Sequence, residues 1–154
     1  MLRQDISEAL KTAMKAKDAR ATSTLRLILA ALKDRDIAAR GEGQGDGGIS
    51  DESILEMLQK MIKQRHDSIE QYEKGNRPDL VQQEREEIEI IKTFLPKQMS
   101  EDEVRAAVGE LVTEIGAGSI KDMGKTMAAL KERYAGRMDF TKAAQLVKDR
   151  LSAG

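Results

Sequence analysis

The sequence predicts an all-α protein built as two consecutive helical subdomains, and three observations carry that expectation. Only two Phe, two Tyr and no Trp occur among 154 residues, while Ala, Leu, Ile, Lys, Glu and Met fill the places that sheet formers would otherwise take. Apolar residues recur three and four apart, the spacing that keeps them on one face of a 3.6-residue helix. One internal break, Leu95-Pro96 followed by Ser100-Glu101-Asp102-Glu103, ends one helix and begins another: Pro96 disfavours helical geometry at Leu95, and the Ser/Glu spacing forms a capping box. The expected division is residues 1–95, an N-terminal domain of about four helices, and residues 97–154, a three-helix bundle. A chain of this length removes roughly 70% of its unfolded surface from water, so a real core is available.

The first helix places Leu2, Ile6, Leu10 and Met14 on one stripe, broken at Lys15 to Asp18. A second runs from about Ala19 to Ala39, with Leu25, Ile28, Leu29 and Leu32 giving a face broad enough to pack between neighbours. Residues 41–48 read Gly-Glu-Gly-Gln-Gly-Asp-Gly-Gly, too much backbone freedom for a helix, and predict a flexible exposed loop. Ser50 then caps a third helix with Asp51 and Glu52 in its first turn, carrying Ile54, Leu58, Met61, Ile62, Ile69 and Tyr72 and ending at Gly75. Pro78 sits in the first turn of a fourth helix, where its missing N–H matters least; Leu80, Val81, Ile88, Ile91 and Leu95 mark the buried side and Glu84, Glu86, Glu87 and Glu89 the wet one. Beyond Pro96 come Glu101 to Ile115, Ile120 to about Tyr134, and Phe140 to Leu151, with Gly116, Gly118 and Gly136 at the joints and Asp139 placed to cap the last helix. Three such stripes close a small bundle.

Composition removes several function classes. With no Cys there are no disulfides, thiolate metal sites or cysteine nucleophiles, which fits a reducing cytoplasm. The first residues begin an amphipathic pattern and no run of 18 apolar residues occurs, so neither signal peptide nor membrane span is expected and the placement inferred is cytoplasmic. His66 is the only histidine, which leaves a zinc site short of ligands and removes Ser-His-Asp catalysis unless His66 itself serves; it reads as a surface ion-pair residue.

Two glycine patterns match nucleotide motifs by letter only. Gly43-x-Gly45-x-x-Gly48 follows a helix where dinucleotide binding needs a strand, and Gly124-Lys125-Thr126 would require a glycine at Ser119, with Gly118 one residue out of register. Asp79, Glu84 and Glu87 read as a solvated helix face rather than a paired acid and base. No catalytic residues, metal site or cofactor are assigned.

The charge distribution is more informative. The 26 Lys and Arg nearly cancel the 27 Asp and Glu overall, so attraction to a polyanion must be local. From Gly116 to Gly154, eight basic residues stand against four acidic ones, a net of +4. Lys121, Lys125, Arg133, Arg137, Lys142 and Lys148 are the candidate phosphate contacts; Lys121 and Lys125 lie one turn apart, and Arg137 and Lys142 flank the start of the last helix. With only Tyr134 and Phe140 as aromatics there, binding would rest on phosphate and shape contacts rather than base stacking.

A longer series of motifs joins these residues: Ala13-Met14-Lys15-Ala16-Lys17-Asp18, Thr24-Leu25-Arg26, Lys63-Gln64-Arg65-x-Asp67-Ser68, Arg77-Pro78-Asp79-Leu80 with Glu84 and Glu87, and Phe94-Leu95-Pro96-x-Gln98-Met99. In order and spacing they resemble the YqeY family of small bacterial proteins over nearly the whole chain. Met123-Gly124-Lys125-x-Met127, Tyr134-x-Gly136-Arg137-x-Asp139 and Val147-Lys148 are similar to the tail domain of the B subunit of the tRNA-dependent amidotransferase (GatB), although Ala128 stands where that tail commonly has lysine. The resemblance implies two all-helical subdomains and an RNA-engaging tail in which Gly124, Lys125, Gly136 and Arg137 carry the contact. The expected function is therefore a tRNA-binding, translation-associated accessory protein. Two alternatives stay open: a helical protein–protein adaptor, and a carbon–nitrogen ligase with glutamine as amide donor that works only as part of a complex.

Overall fold

The computed structural model describes residues 1–43 and 47–153, and every regular element among them is helical. Gln44 to Asp46 lie outside the described residues, and with them Gly45 and the middle of the expected flexible loop; so does Gly154. The chain divides into two compact units, Met1–Leu95 and Pro96–Gly154.

The first unit contains α1 (Leu2–Lys15), α2 (Ala19–Gly41), α3 (Asp51–Lys74) and α4 (Pro78–Lys92). Its core gathers Ile6, Leu25, Ile28, Leu32, Ile54, Met57, Leu58, Met61 and Ile91. Asp18 starts α2 by accepting a hydrogen bond from the Ala21 N–H at 3.0 Å, and Ser50 starts α3 by accepting from the Ser53 N–H at 3.2 Å. Pro78 holds the first turn of α4. At the end of α3 the left-handed residue is Asn76, φ 54°, one position beyond the Gly75 cap.

The helix positions and ends differ from expectation at two places in α1 and α2. Met14 is half exposed and Ala13 takes its place in the core. Residues four apart drift about 40° per step around a 3.6-residue helix, so a stripe begun at Leu2 has left the buried face by Met14. The second correction concerns α2, which continues through Gly41, two residues past the expected end.

The chain returns from the glycine-rich segment through a polar latch. Arg3 on α1 donates through both terminal nitrogens to the Asp36 carboxylate on α2, and its Nη2 also reaches the Ile49 carbonyl at 2.9 Å. Asp36 Oδ1 in turn accepts from the Ile49 N–H at 2.9 Å. The Arg3 hydrogen bonds hold the Asp36 carboxyl below its ordinary range, so the latch stabilises the fold above that range and weakens as acid protonates Asp36. Gly48 sits against it with φ +80°, where a Cβ would collide with the Arg3 guanidinium and lie 2.6 Å from Asp36 Oδ1. Gly48→Ala is expected to lower stability by more than the ~1–2 kcal/mol that left-handed backbone alone imposes on an L side chain. Gly43→Ala, with the same φ but open space, isolates the backbone part, and urea unfolding of the two variants separates the contributions.

The second unit contains α5 (Glu101–Ile115), a 3-10 turn (Ile120–Asp122), α6 (Met123–Arg133) and α7 (Phe140–Ala153). Its core joins Val104, Val108 and Leu111 of α5, Leu130 of α6, Met138, and Ala143, Val147 and Leu151 of α7. The capping box forms in both directions: Ser100 Oγ accepts from the Glu103 N–H at 3.1 Å and Glu103 Oε1 from the Ser100 N–H at 3.1 Å. Gly116 closes α5 in left-handed conformation, φ 68°. The helix expected from Ile120 begins as the 3-10 turn and becomes α-helical only at Met123. Ser100→Ala, which removes one direction of the box, is expected to cost about 1 kcal/mol in thermal or urea unfolding.

Candidate functional site

In the second unit, α6 is fixed by two fully buried side chains. Leu130 enters the core, and Thr126 is satisfied internally by donating its hydroxyl to the Asp122 carbonyl at 2.9 Å. That anchoring sets which cations face solvent. Lys121 on the 3-10 turn and Lys125 in the first turn of α6 are exposed, as are Lys142 and Lys148 on α7; none of the four makes an ion pair among the described residues. Gly124, between the first two, is also exposed and has open space where a Cβ would stand.

Three other candidates are engaged in the fold. Arg133 makes a two-pronged ion pair with Glu114 of α5 at 2.6 and 2.7 Å. Hydrogen bonding in that pair raises the guanidinium pKa and lowers that of the Glu114 carboxyl. Gly136 is buried in left-handed conformation, φ 75°, and its carbonyl accepts from Gln98 Nε2 at 2.6 Å. The Arg137 carbonyl accepts from the Met99 N–H at 2.9 Å while its Nε donates to the Lys97 carbonyl at 3.2 Å. The Gly136-Arg137 turn thus docks residues 97–99, leaving the terminal nitrogens of Arg137 without a hydrogen bond among the described residues.

Helix geometry sets how the cations are spaced. Lys125 opens α6, a helix about 16 Å long, and Arg137 follows its far end. α7 packs on both α6 and the 3-10 turn. On α7, Lys142 and Lys148 are six residues apart, roughly 120° around the axis. Lys121 and Lys125 form one set. Arg137 forms another with Lys97, near Glu103, whose carboxyl is held low first by its Ser100 hydrogen bonds and further by those two charges.

The first unit holds a polar cluster that the sequence reading placed wrongly. Glu87 was expected on the wet face of α4; it is buried, with Oε2 accepting from Arg65 Nε of α3 at 3.1 Å. Arg65 Nη1 also donates to the Met61 carbonyl at 3.1 Å. Glu84, one turn earlier on α4, has its pKa raised by burial and then by the Glu87 charge, against a smaller opposing pull from Arg65. The misplaced signal was present in the spacing: Glu84, Glu87 and Ile91 stand three and four apart, on the face of α4 that Ile88 and Ile91 bury, whereas Glu86 and Glu89 are exposed. A carboxyl with a raised folded pKa stabilises relative to the unfolded chain at low pH and loses that contribution as pH rises through its folded value. Glu84→Gln is therefore expected to stabilise the protein at pH 7, with the difference vanishing below the carboxylate range in a pH series of melting temperatures.

His66 is exposed on α3, and no grouping of potential metal ligands occurs among the described residues. No helix among them is long and apolar enough to cross a membrane.

A family model described as Yqey-like protein matches residues 3–151. Among curated proteins, the chain is 34% identical over 146 residues to "Altered inheritance of mitochondria protein 41, mitochondrial" of Lachancea thermotolerans, covering 94% of this chain and 75% of that protein. Over 86 residues it is 39% identical to the protein of the same name from Saccharomyces cerevisiae, covering 56% of this chain and 44% of that one. The Kluyveromyces lactis counterpart is 34% identical over 113 residues, covering 71% of this chain and 58% of its own length. These relatives are named as mitochondrial proteins, which overturns the cytoplasmic placement. Cysteine content reports on redox chemistry and not on an address, so it could not have told the two compartments apart.

Proposed function

The chain belongs to the Yqey-like protein family, and on that footing we propose that it is a tRNA-binding accessory protein of translation whose second unit contacts RNA phosphates. The observation that supports the reading is the set of four exposed lysines, Lys121, Lys125, Lys142 and Lys148, which make no ion pair among the described residues, within a segment of net charge +4. Arg137 adds its terminal nitrogens, which make no hydrogen bond among the described residues. Arg133 and Gly136 act in this reading through the fold, the first by joining α6 to α5 and the second by shaping the turn that presents Arg137. The likeness to the amidotransferase tail supplies RNA attachment rather than chemistry.

Binding carried by phosphates releases counterions, so affinity falls steeply with salt, by close to one power of the salt concentration per contact. tRNA binding to the full chain, measured from 50 to 200 mM salt, is expected to weaken by about 150-fold if four contacts form. Lys125→Ala with Arg137→Ala should weaken binding at every salt concentration and reduce the slope of log K against log salt by about two. Absence of binding at 50 mM salt, or an unchanged slope in the double variant, removes the reading.

A further inference from the structure

The surface left unexplained by the second unit's cations lies on the first unit, along α2. This helix is apolar on more than one side. Leu25, Ile28 and Leu32 enter the core, yet Leu27 and Ile37 remain 48% and 53% exposed. Positions 27, 30, 34, 37 and 38 follow helical spacing, so Leu27, Ala30, Asp34, Ile37 and Ala38 form one outward stripe, all exposed. Leu27 and Ile37 are ten residues apart, about 15 Å along the axis, and the alanines between and beside them leave room for close approach. One border of the stripe carries Arg26, Lys33 and Arg40, each seven residues from the next, exposed and without an ion pair among the described residues.

We propose that this face of α2 is a docking surface for an amphipathic helix of a partner protein whose apolar stripe is bordered by carboxylates. Two aliphatic anchors about three turns apart, with small residues between them, suit the ridges of a second helix at 8–10 Å. The basic row calls for acidic residues along one edge of that helix, and Asp34, alone within the stripe, calls for a facing cation or amide donor that sets the register. A second copy of the chain fits badly. An antiparallel pairing of two α2 helices sets like borders against each other, Lys33 near Lys33 and Arg26 near Arg40, and brings the two Asp34 carboxylates together. RNA fits less well than a helix, because Leu27 and Ile37 offer phosphate nothing and no aromatic side chain stands in the stripe for a base to stack on.

The probe is a helical peptide of about five turns, with leucines on one face, a glutamate border and one central lysine, titrated against the full chain while amide shifts of residues 26–41 are followed. Binding is expected at that stretch and should weaken with salt. Ile37→Asp and Lys33→Glu, both at exposed positions, should each weaken it about tenfold or more with melting temperature little changed. Lys33→Glu should recover affinity when the glutamate facing position 33 in the peptide is replaced by lysine. The proposal is overturned if the peptide does not bind, if an all-lysine border binds the unaltered protein equally well, or if charge exchange gives no recovery. It is likewise overturned if sedimentation shows that Ile37→Asp dissociates a dimer, or if tRNA rather than the peptide shifts residues 26–41.

Discussion

Glu87→Ala is expected to destabilise the protein by about 3 kcal/mol, one of the two largest single-site losses anticipated here. The side chains of Glu87 and Arg65 retain only 7% and 13% of their exposure, so neither can recover the hydration it gave up on folding. Removing the carboxylate strands a guanidinium that is held in place by the Met61 carbonyl, and an uncompensated buried charge is worth about 3–5 kcal/mol. The lower end of that range applies because Glu84 is near enough for its titration to sense Arg65 and offers a partial replacement. Two further variants test the cause. Glu84→Ala combined with Glu87→Ala should lose more than the sum of the two single changes, since the substitute partner is gone. Arg65→Met with Glu87→Leu, which removes both charges while keeping volume, should be close to neutral. A similar loss in that apolar pair would mean that shape rather than charge holds α3 to α4.

What the sequence disclosed about the molecule follows the range over which each signal acts. The starts of α3, α4 and α5 are written within four residues of themselves, in Ser50, Pro78 and the Ser100/Glu103 box. The stripes of α3 to α7 are short enough, or regular enough, for counting by threes and fours to find the buried side. Longer-range facts were hidden. The spacing of Glu87 puts it on the buried face of α4, but nothing near it announces that Arg65, 22 residues earlier, is its partner, and Met57 and Met138 join the core at positions that the apolar stripes passed over. The same limit governs the candidate site. A count of charges locates the basic segment, but whether each cation is free is decided by tertiary neighbours: Arg133 meets Glu114, 19 residues before it, and Arg137 meets the Lys97 carbonyl, 40 residues before. The four lysines are exposed and make no ion pair among the described residues.

The second large effect should come from Leu130→Ala. Leu130 is fully buried where α6 meets α5 and α7, and deleting three methyl-sized groups there combines lost transfer free energy with a cavity, about 2–5 kcal/mol in comparable cores. The size of the host makes this severe. A unit of fewer than sixty residues has a core limited by its surface, and at ~0.05–0.15 kcal/mol per residue its total stability is only about 3–9 kcal/mol. The substitution is therefore expected to leave the second unit partly or wholly unfolded at 37 °C. Each unit carries one tyrosine, Tyr72 in the first and Tyr134 in the second, so in a Tyr72→Phe background Tyr134 fluorescence reports the second unit during urea unfolding of the full chain. A transition shifted far toward zero denaturant is the expected outcome. Leu130→Met, close in volume, should shift it little. Because every proposed phosphate contact sits on the helices and turns of the unit whose core Leu130 fills, Leu130→Ala should also abolish tight tRNA binding with all lysines intact; retention of wild-type affinity and salt slope would show that the cations bind RNA without the fold that displays them.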